Sequence, residues 1–188
     1  VAANNIVGNR DLRFSVVRYG NVLGSRGSVI PFFLNKMNEG TLPITDERMT
    51  RFSISLEEGV DFVLNALMNA WGGELFVPKI PSYKITDVAK AIAPSAKFVI
   101  SGIRPGEKIH EEMITETDSF NTLDLGNHYV ICPSTNNRNL NVEKFIDFYQ
   151  AKKVPIGFRY NSGENEHFLS VTEIREQIKT HVDPSLEV

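Results

Sequence analysis

Apolar residues along this chain come in short runs set off by turn residues, and the runs alternate between a strand period and a helix period. Phe14-Ser15-Val16-Val17 is apolar at three of four positions within Leu12 to Tyr19, the pattern of a strand buried on both faces. Ser28 to Asn38 reads as the helix behind it, with Pro31 suited to the first turn and Gly40 to the stop. A short extended piece, Leu42 to Thr45, leads into Arg51-Phe52-Ser53-Ile54. A helix then begins at Ser55, which stands at capping-box spacing from Glu58. Val60, Val63, Leu64, Leu67 and Met68 follow as one apolar stripe, and Gly72-Gly73 ends the helix.

Downstream, Glu74 to Val77 reads as a strand closed by Pro78 and Pro81, Thr86 to Ala93 as a helix stopped at Pro94, and Lys97 to Ser101 as the next strand. Strand and helix thus alternate to about residue 101, which predicts an α/β architecture. Beyond it, His110 to Ile114 is expected as a short helix, Tyr129 to Ile131 as a strand and Ser134 to Asn141 as a loop. Val142 to Lys152 and Ser170 to His181 are expected as helices. The last carries a second capping box, Ser170 with Glu173, and an apolar face of Val171, Ile174 and Ile178. The opening Val1-Ala2-Ala3-Asn4-Asn5 reads as the tail of a helix.

Composition narrows the function classes. With 188 residues, 41% hydrophobic and 23% charged, the chain has the make-up of an ordinary globular protein. A net charge of −3 without a basic stripe gives no footprint for nucleic acid. No apolar run approaches the ~20 residues of a membrane span. The single Cys132 excludes an internal disulfide, and the four histidines are scattered away from any metal-ligand spacing.

The candidate chemistry lies in two cassettes, Arg18-Tyr19-Gly20-Asn21-Val22 and Arg104-Pro105-Gly106-Glu107-Lys108. Each puts a guanidinium, a turn glycine and another polar group at the end of an expected strand, where ligands bind in open α/β sheets. An arginine fork suits phosphate oxygens. Arg26 and Ser28 precede a helix N-terminus, a natural anion site, whereas Arg18 reads as a structural ion-pair partner. Two further arrays imitate dinucleotide-enzyme motifs. Gly20, Gly24 and Gly27 resemble a glycine fingerprint, but the acidic residue expected about 20 positions on, Asp46, follows only a poor strand. Tyr149 and Lys153 have Tyr-x-x-x-Lys spacing, but they sit beside Val154-Pro155, where a helix should be ending.

Arg18 to Phe33, Met49-Thr50-Arg51-Phe52 and Ile103 to Lys108, with the intervening Leu56 to Val63 and Phe76 to Pro81, resemble the extended short-chain dehydrogenase/reductases that modify nucleotide sugars. Within them the chain is most similar to the inverting UDP-N-acetylglucosamine 4,6-dehydratases of pseudaminic acid or other surface-glycan biosynthesis. Retaining 4,6-dehydratases and UDP-sugar epimerases are the nearest alternatives, and a non-catalytic nucleotide-sugar binding module is an alternative of another class.

The resemblance implies an α/β fold, the C-terminal part of a Rossmann-like enzyme. Residues 1–80 would hold the end of the dinucleotide-binding sheet, interleaved with substrate-binding segments, and 81–188 mainly the UDP-sugar domain. It implies NADP as cofactor, with Tyr19 near the nicotinamide. For the substrate it implies Asn21, Arg51 and Arg104 on the diphosphate, Glu107 on the ribose hydroxyls, and Pro43, Ile44 and Thr45 along the uracil; Arg26 and Ser28 are further candidates. A homo-oligomeric, cytoplasmic lyase is implied. The glycine-rich strand–loop–helix and the Tyr-x-x-x-Lys pair of the family precede the first cassette, so the chain reads as the C-terminal portion of a longer enzyme, without catalytic residues of its own.

Overall fold

A computed structural model describes residues 12–133 and 140–187; the expected opening helix tail and most of the 134–141 loop lie outside them. The first elements are β1 (Val16–Val17), β2 (Asn21–Val22), α1 (Val29–Lys36), β3 (Thr41–Ile44), β4 (Thr50–Ile54) and α2 (Leu56–Asn69). Then come β5 (Leu75–Pro78), β6 (Ser82–Lys84), α3 (Ile85–Ile92), β7 (Lys97–Ile100) and β8 (Glu112–Ile114). Last are β9 (Thr122–Asp124), β10 (His128–Ile131), α4 (Val142–Tyr149), β11 (Lys152–Lys153), β12 (Tyr160–Asn161) and α5 (Val171–His181). The predicted α/β class holds. The chain forms two compact units that interleave in sequence. One gathers residues up to Tyr19, Glu58–Lys79 and Met113–Tyr160; the other gathers Gly20–Glu57, Ile80–Glu112 and the chain from Asn161 onward.

The first unit is built on a five-stranded mixed sheet in the order β1-β5-β10-β9-β11. β1 runs parallel to β5, pairing Val16 with Leu75 and Val17 with Phe76, and the other neighbours are antiparallel. Phe76, Leu123, Val130 and Cys132 from the sheet meet Ala66 of α2 and Phe145 of α4 in one core. The fully buried Glu74 secures the turn into β5. Its carboxylate accepts hydrogen bonds from Ser15 Oγ at 3.0 Å, Gly72 N at 2.7 Å and Trp71 N, which offset the cost of burying it.

Several expectations for this unit are corrected. The strand expected over Leu12 to Tyr19 shrinks to Val16–Val17, and Leu12, Phe14 and Val16 are 48%, 44% and 40% exposed. Helix α2 buries Gly59 and Ala66, with Phe62 packed against the core, and leaves the predicted stripe outward. The helix is apolar on more than one side, so periodicity alone could not choose between its faces. The short helix expected at His110 to Ile114 is strand β8, laddered with β12; five residues are too few to sustain a helix against a waiting strand partner. Helix α4 ends at Tyr149, because Gln150 adopts a left-handed conformation (φ 51°), and Lys152–Lys153 becomes an edge strand on β9. Tyr149 and Lys153 therefore do not share a helix face, and Tyr149 donates to the Asn69 carbonyl at 3.1 Å.

The second unit packs α1, α3 and α5 around small sheets. β2 runs parallel to β4, β4 antiparallel to β6, and β3 parallel to β7. Along β3, Leu42 and Ile44 are fully buried while Pro43 and the following Thr45 face the other way, the alternation of a half-buried strand. Helix α5 begins as predicted. Ser170 Oγ accepts from Glu173 N at 3.2 Å and Glu173 accepts from Ser170 N at 2.8 Å, and Ile174 and Ile178 point into the core. Gly40 closes the helical segment with φ 71°, as the sequence pattern required.

Candidate functional site

A cavity of about 550 Å³ lies wholly within the second unit, in the range of small-molecule sites. The ends of the parallel strands β3 and β7 open onto it through Thr45 and Ser101, and the start of α1 contributes Ser28 and Phe32. Arg51 of β4 and the segment holding Arg104 and Glu107 complete its polar wall. Pockets at the carboxyl ends of parallel strands are the usual ligand sites of α/β folds.

The sequence Arg104-Pro105-Gly106-Glu107 is a hydrogen-bonded turn. Glu107 N donates to the Arg104 carbonyl at 3.0 Å, Pro105 takes the position where its fixed φ fits, and Gly106 supplies φ +86°, the features of a type II turn. The Glu107 carboxylate accepts from Arg104 N at 3.0 Å and not from the guanidinium. No described residue pairs with the Arg104 guanidinium, so its five N–H groups remain for solvent or a ligand. The alternative of a simple Arg–Glu surface pair does not match this geometry.

Arg51 is held differently. Its side chain is only 14% exposed, and Nη1 donates to the Thr50 and Ile109 carbonyls at 2.7 and 3.1 Å. Nε lies 3.5 Å from a Glu111 oxygen. Arg48, three residues back, is spent on Asp46 through contacts of 2.7 and 2.9 Å; those hydrogen bonds lower the Asp46 carboxyl to about 2. Tyr83 also borders the cavity, and burial pushes its phenol up to about 12, so it offers a neutral hydroxyl at any physiological pH. Ser28 stands at the N-cap of α1 without a capping bond, and among the described residues its buried Oγ has no hydrogen-bond partner, a cost that a ligand could relieve.

Of the candidates from the sequence, Asn21, Ser28, Pro43, Thr45, Arg51, Arg104 and Glu107 line this one cavity. Arg26 is exposed and outside the lining. The Ile44 side chain is in the core, and its carbonyl accepts from Ser101 N at 2.9 Å. Tyr19 belongs to the other unit and is 42% exposed. Arg18 makes structural contacts, donating to the Met113 carbonyl at 2.7 Å beside Asp118 at 3.7 Å. Two glycines of the array are packed against protein: a Cβ on Gly20 would sit 2.5 Å from Phe52 Cβ and one on Gly24 2.7 Å from Val182, whereas Gly27 has open space beside it and lines the cavity. Phe32, Asn35, Tyr83 and Ser101 are lining residues the sequence reading missed. Ser101 carried a signal, since it ends the strand before the second cassette.

Fold and pocket together define an α/β protein with an arginine-bearing cavity at the ends of its parallel strands. The sequence profile of the polysaccharide biosynthesis protein family matches residues 1–133. The chain belongs to that family, within the extended short-chain dehydrogenase/reductases. It is 52% identical over 186 residues to an inverting UDP-N-acetylglucosamine 4,6-dehydratase of Campylobacter jejuni, covering 95% of this chain and 54% of that protein. A UDP-glucose 4-epimerase of Rickettsia canadensis is 39% identical over 170 residues, covering 88% of this chain and 49% of its own length. The crystal structure of Pen from Bacillus thuringiensis superposes with a TM-score of 0.79 at 30% identity, across 95% of this chain and 53% of that one. The chain thus spans about half the length of the relatives it matches. Among the described residues, no helix is long and apolar enough to cross a membrane.

Proposed function

We propose that this chain is the UDP-sugar-gripping portion of an inverting UDP-N-acetylglucosamine 4,6-dehydratase, a cytoplasmic and homo-oligomeric lyase of surface-glycan biosynthesis. The observation that carries the reading is the meeting of Asn21, Arg51, Arg104 and Glu107 on one cavity in a chain 52% identical to an enzyme of that name. Arg104 and Arg51 clamp the diphosphate from two sides, with Asn21 donating its amide and the unpartnered Ser28 Oγ available at the start of α1. The Glu107 carboxylate, anchored by one oxygen to its own turn, has acceptor capacity left for the ribose diol. Pro43 and Thr45 form the wall along the base.

NADP, when bound, would supply the hydride acceptor and donor that this reaction requires. Among the residues of this chain only Tyr19 is assigned beside it, and the close packing at Gly20 and Gly24 leaves no room for a pyrophosphate against those two glycines. The chain's own contribution is positional. Fixing both ends of the UDP moiety holds the hexose in one orientation toward the reacting groups, and the chain by itself should be inactive. Because it matches epimerases at lower identity, the runner-up is a UDP-sugar epimerase with the same grip.

The discriminating experiment joins the N-terminal half of the Campylobacter relative to this chain and supplies UDP-N-acetylglucosamine with NADP in deuterium oxide. The expected product is a 4-keto-6-deoxy sugar nucleotide with inverted C5 configuration and deuterium at C5, seen by proton NMR. A product without a 6-methyl signal would move the protein to the epimerases, and retained C5 configuration in the initial product to the retaining dehydratases.

A further inference from the structure

We propose that Ser162 is a positioning residue for Arg51, fixing the guanidinium in the nucleotide pocket from a segment far away in sequence. The inference rests on the reading that Arg51 grips a nucleotide diphosphate. Ser162 lies outside the cavity lining, is fully buried, and is separated from Thr50 by 112 positions. Its hydroxyl nonetheless joins the two stretches of backbone from which Arg51 is held. Ser162 Oγ lies 2.7 Å from Thr50 Oγ1 and 3.2 Å from the Thr50 carbonyl, and it accepts from Glu111 N at 2.8 Å. Ser162 N in turn donates to the Glu111 carbonyl at 2.8 Å, and Thr50 N to the Ile109 carbonyl at 3.0 Å.

Among the described residues, those stretches carry every strong contact of the Arg51 head. Nη1 uses the carbonyls of Thr50 and Ile109, and Nε faces the Glu111 carboxylate. Among the described residues, Nη2 has as acceptor only the Met49 sulfur at 3.8 Å, a weak partner. The guanidinium is therefore pinned along one edge, and Nη2 is left as the edge for an anion. An arginine fixed in this way has less rotamer entropy to lose when the anion arrives.

Ser162 Oγ donates to the Thr50 carbonyl, and Thr50 Oγ1 lies within hydrogen-bond distance of both Ser162 Oγ and His110 Nδ1, the latter at 2.8 Å. Close packing leaves the ring little freedom, since a Cβ on Gly163 would fall 2.5 Å from His110 Nδ1. Removing the Ser162 hydroxyl leaves the part-buried Glu111 N–H without its acceptor and takes away the side-chain link between β4 and the 109–111 segment, so that only the Thr50 N to Ile109 carbonyl bond sets the spacing of the two carbonyls that hold Nη1.

The test is a double-mutant cycle on the full chain, with UDP as probe in titration calorimetry. Arg51→Ala is expected to weaken UDP at least about tenfold, and Ser162→Ala about fivefold. The double variant should bind no more weakly than Arg51→Ala alone. Additive losses, or wild-type affinity in Ser162→Ala beside a weakened Arg51→Ala, would overturn the positioning role and leave the pocket standing. Unchanged affinity in Arg51→Ala would overturn the diphosphate reading of Arg51, and the inference with it. Should Ser162→Ala fail to give a cooperative melt, Ser162→Cys replaces it in the cycle, because a thiol keeps the bulk of the side chain while hydrogen-bonding only weakly. The same non-additivity with Arg51→Ala is expected for it, and additivity overturns the proposal.

Discussion

Helices α2 and α5 carry nearly the same message in sequence, a capping-box start followed by one apolar stripe, yet they end in opposite situations. In α5, Ile174 and Ile178 are 3% and 0% exposed, and both halves of the capping box are made. In α2 the stripe residues Val60, Val63, Leu64, Leu67 and Met68 are 49%, 40%, 51%, 73% and 78% exposed, while the core takes Gly59, Ala66 and part of Phe62. Periodicity names a face that favours burial; which face is covered depends on what the tertiary fold lays against it. The unit with the pocket closes its own core, whereas the unit with the larger sheet presents α2 and the outer side of Leu12, Phe14 and Val16 to solvent.

The comparison breaks most sharply by truncation. Ile178→Ala should cost about 2–5 kcal/mol, the range for buried isoleucine deletions, while Leu67→Ala should stay within about 0.5 kcal/mol. Thermal or urea melts of the two variants decide it, and equal losses would mean that the α2 face is covered in solution. A smaller effect is expected on association. Leu67→Lys with Met68→Glu should reduce self-association and dye binding to exposed apolar surface with little change in melting temperature. Sedimentation that does not differ from wild type would contradict the exposure.

The smallest effect concerns pH and again separates the units. Burial among Phe62 and Phe76, with Lys79 nearby and Asp124 opposing, lowers the His128 pKa below its ordinary 6.5. Above pH 6.5 the ring is neutral in both folded and unfolded states, and this contribution to stability is fully present. As pH falls, the unfolded chain takes up the proton first, so stability is lost as the pH drops through the folded value. The melting temperature should therefore decline between pH 7.5 and 5.5, and His128→Gln should flatten that decline. An unchanged slope in the variant would assign the titration elsewhere.

What the sequence revealed follows from how local each signal is. Gly40 as a helix stop, the Ser170–Glu173 box and the Pro105-Gly106 turn depend on neighbours within a few residues, and all three are present. Arg51, Arg104 and Asn21 are legible as candidate site residues through their motifs, although nothing local says that they line one cavity. Strand β8 was misread as helix because its partner β12 lies far along the chain. Tyr83 on the cavity wall and Ser162 behind Arg51 are likewise brought in by tertiary contacts between distant segments, which no spacing encodes.

The most direct test of the account is titration of UDP into the wild-type chain and into Arg104→Lys. The Arg104 guanidinium has no partner among the described residues, so it should meet the diphosphate as a planar fork that lysine cannot reproduce. The account predicts saturable UDP binding to the wild type, weakened at least about tenfold in the lysine variant, as expected for loss of charge-assisted hydrogen bonds of ~1.5–3 kcal/mol. Equal affinity in the two proteins would contradict it.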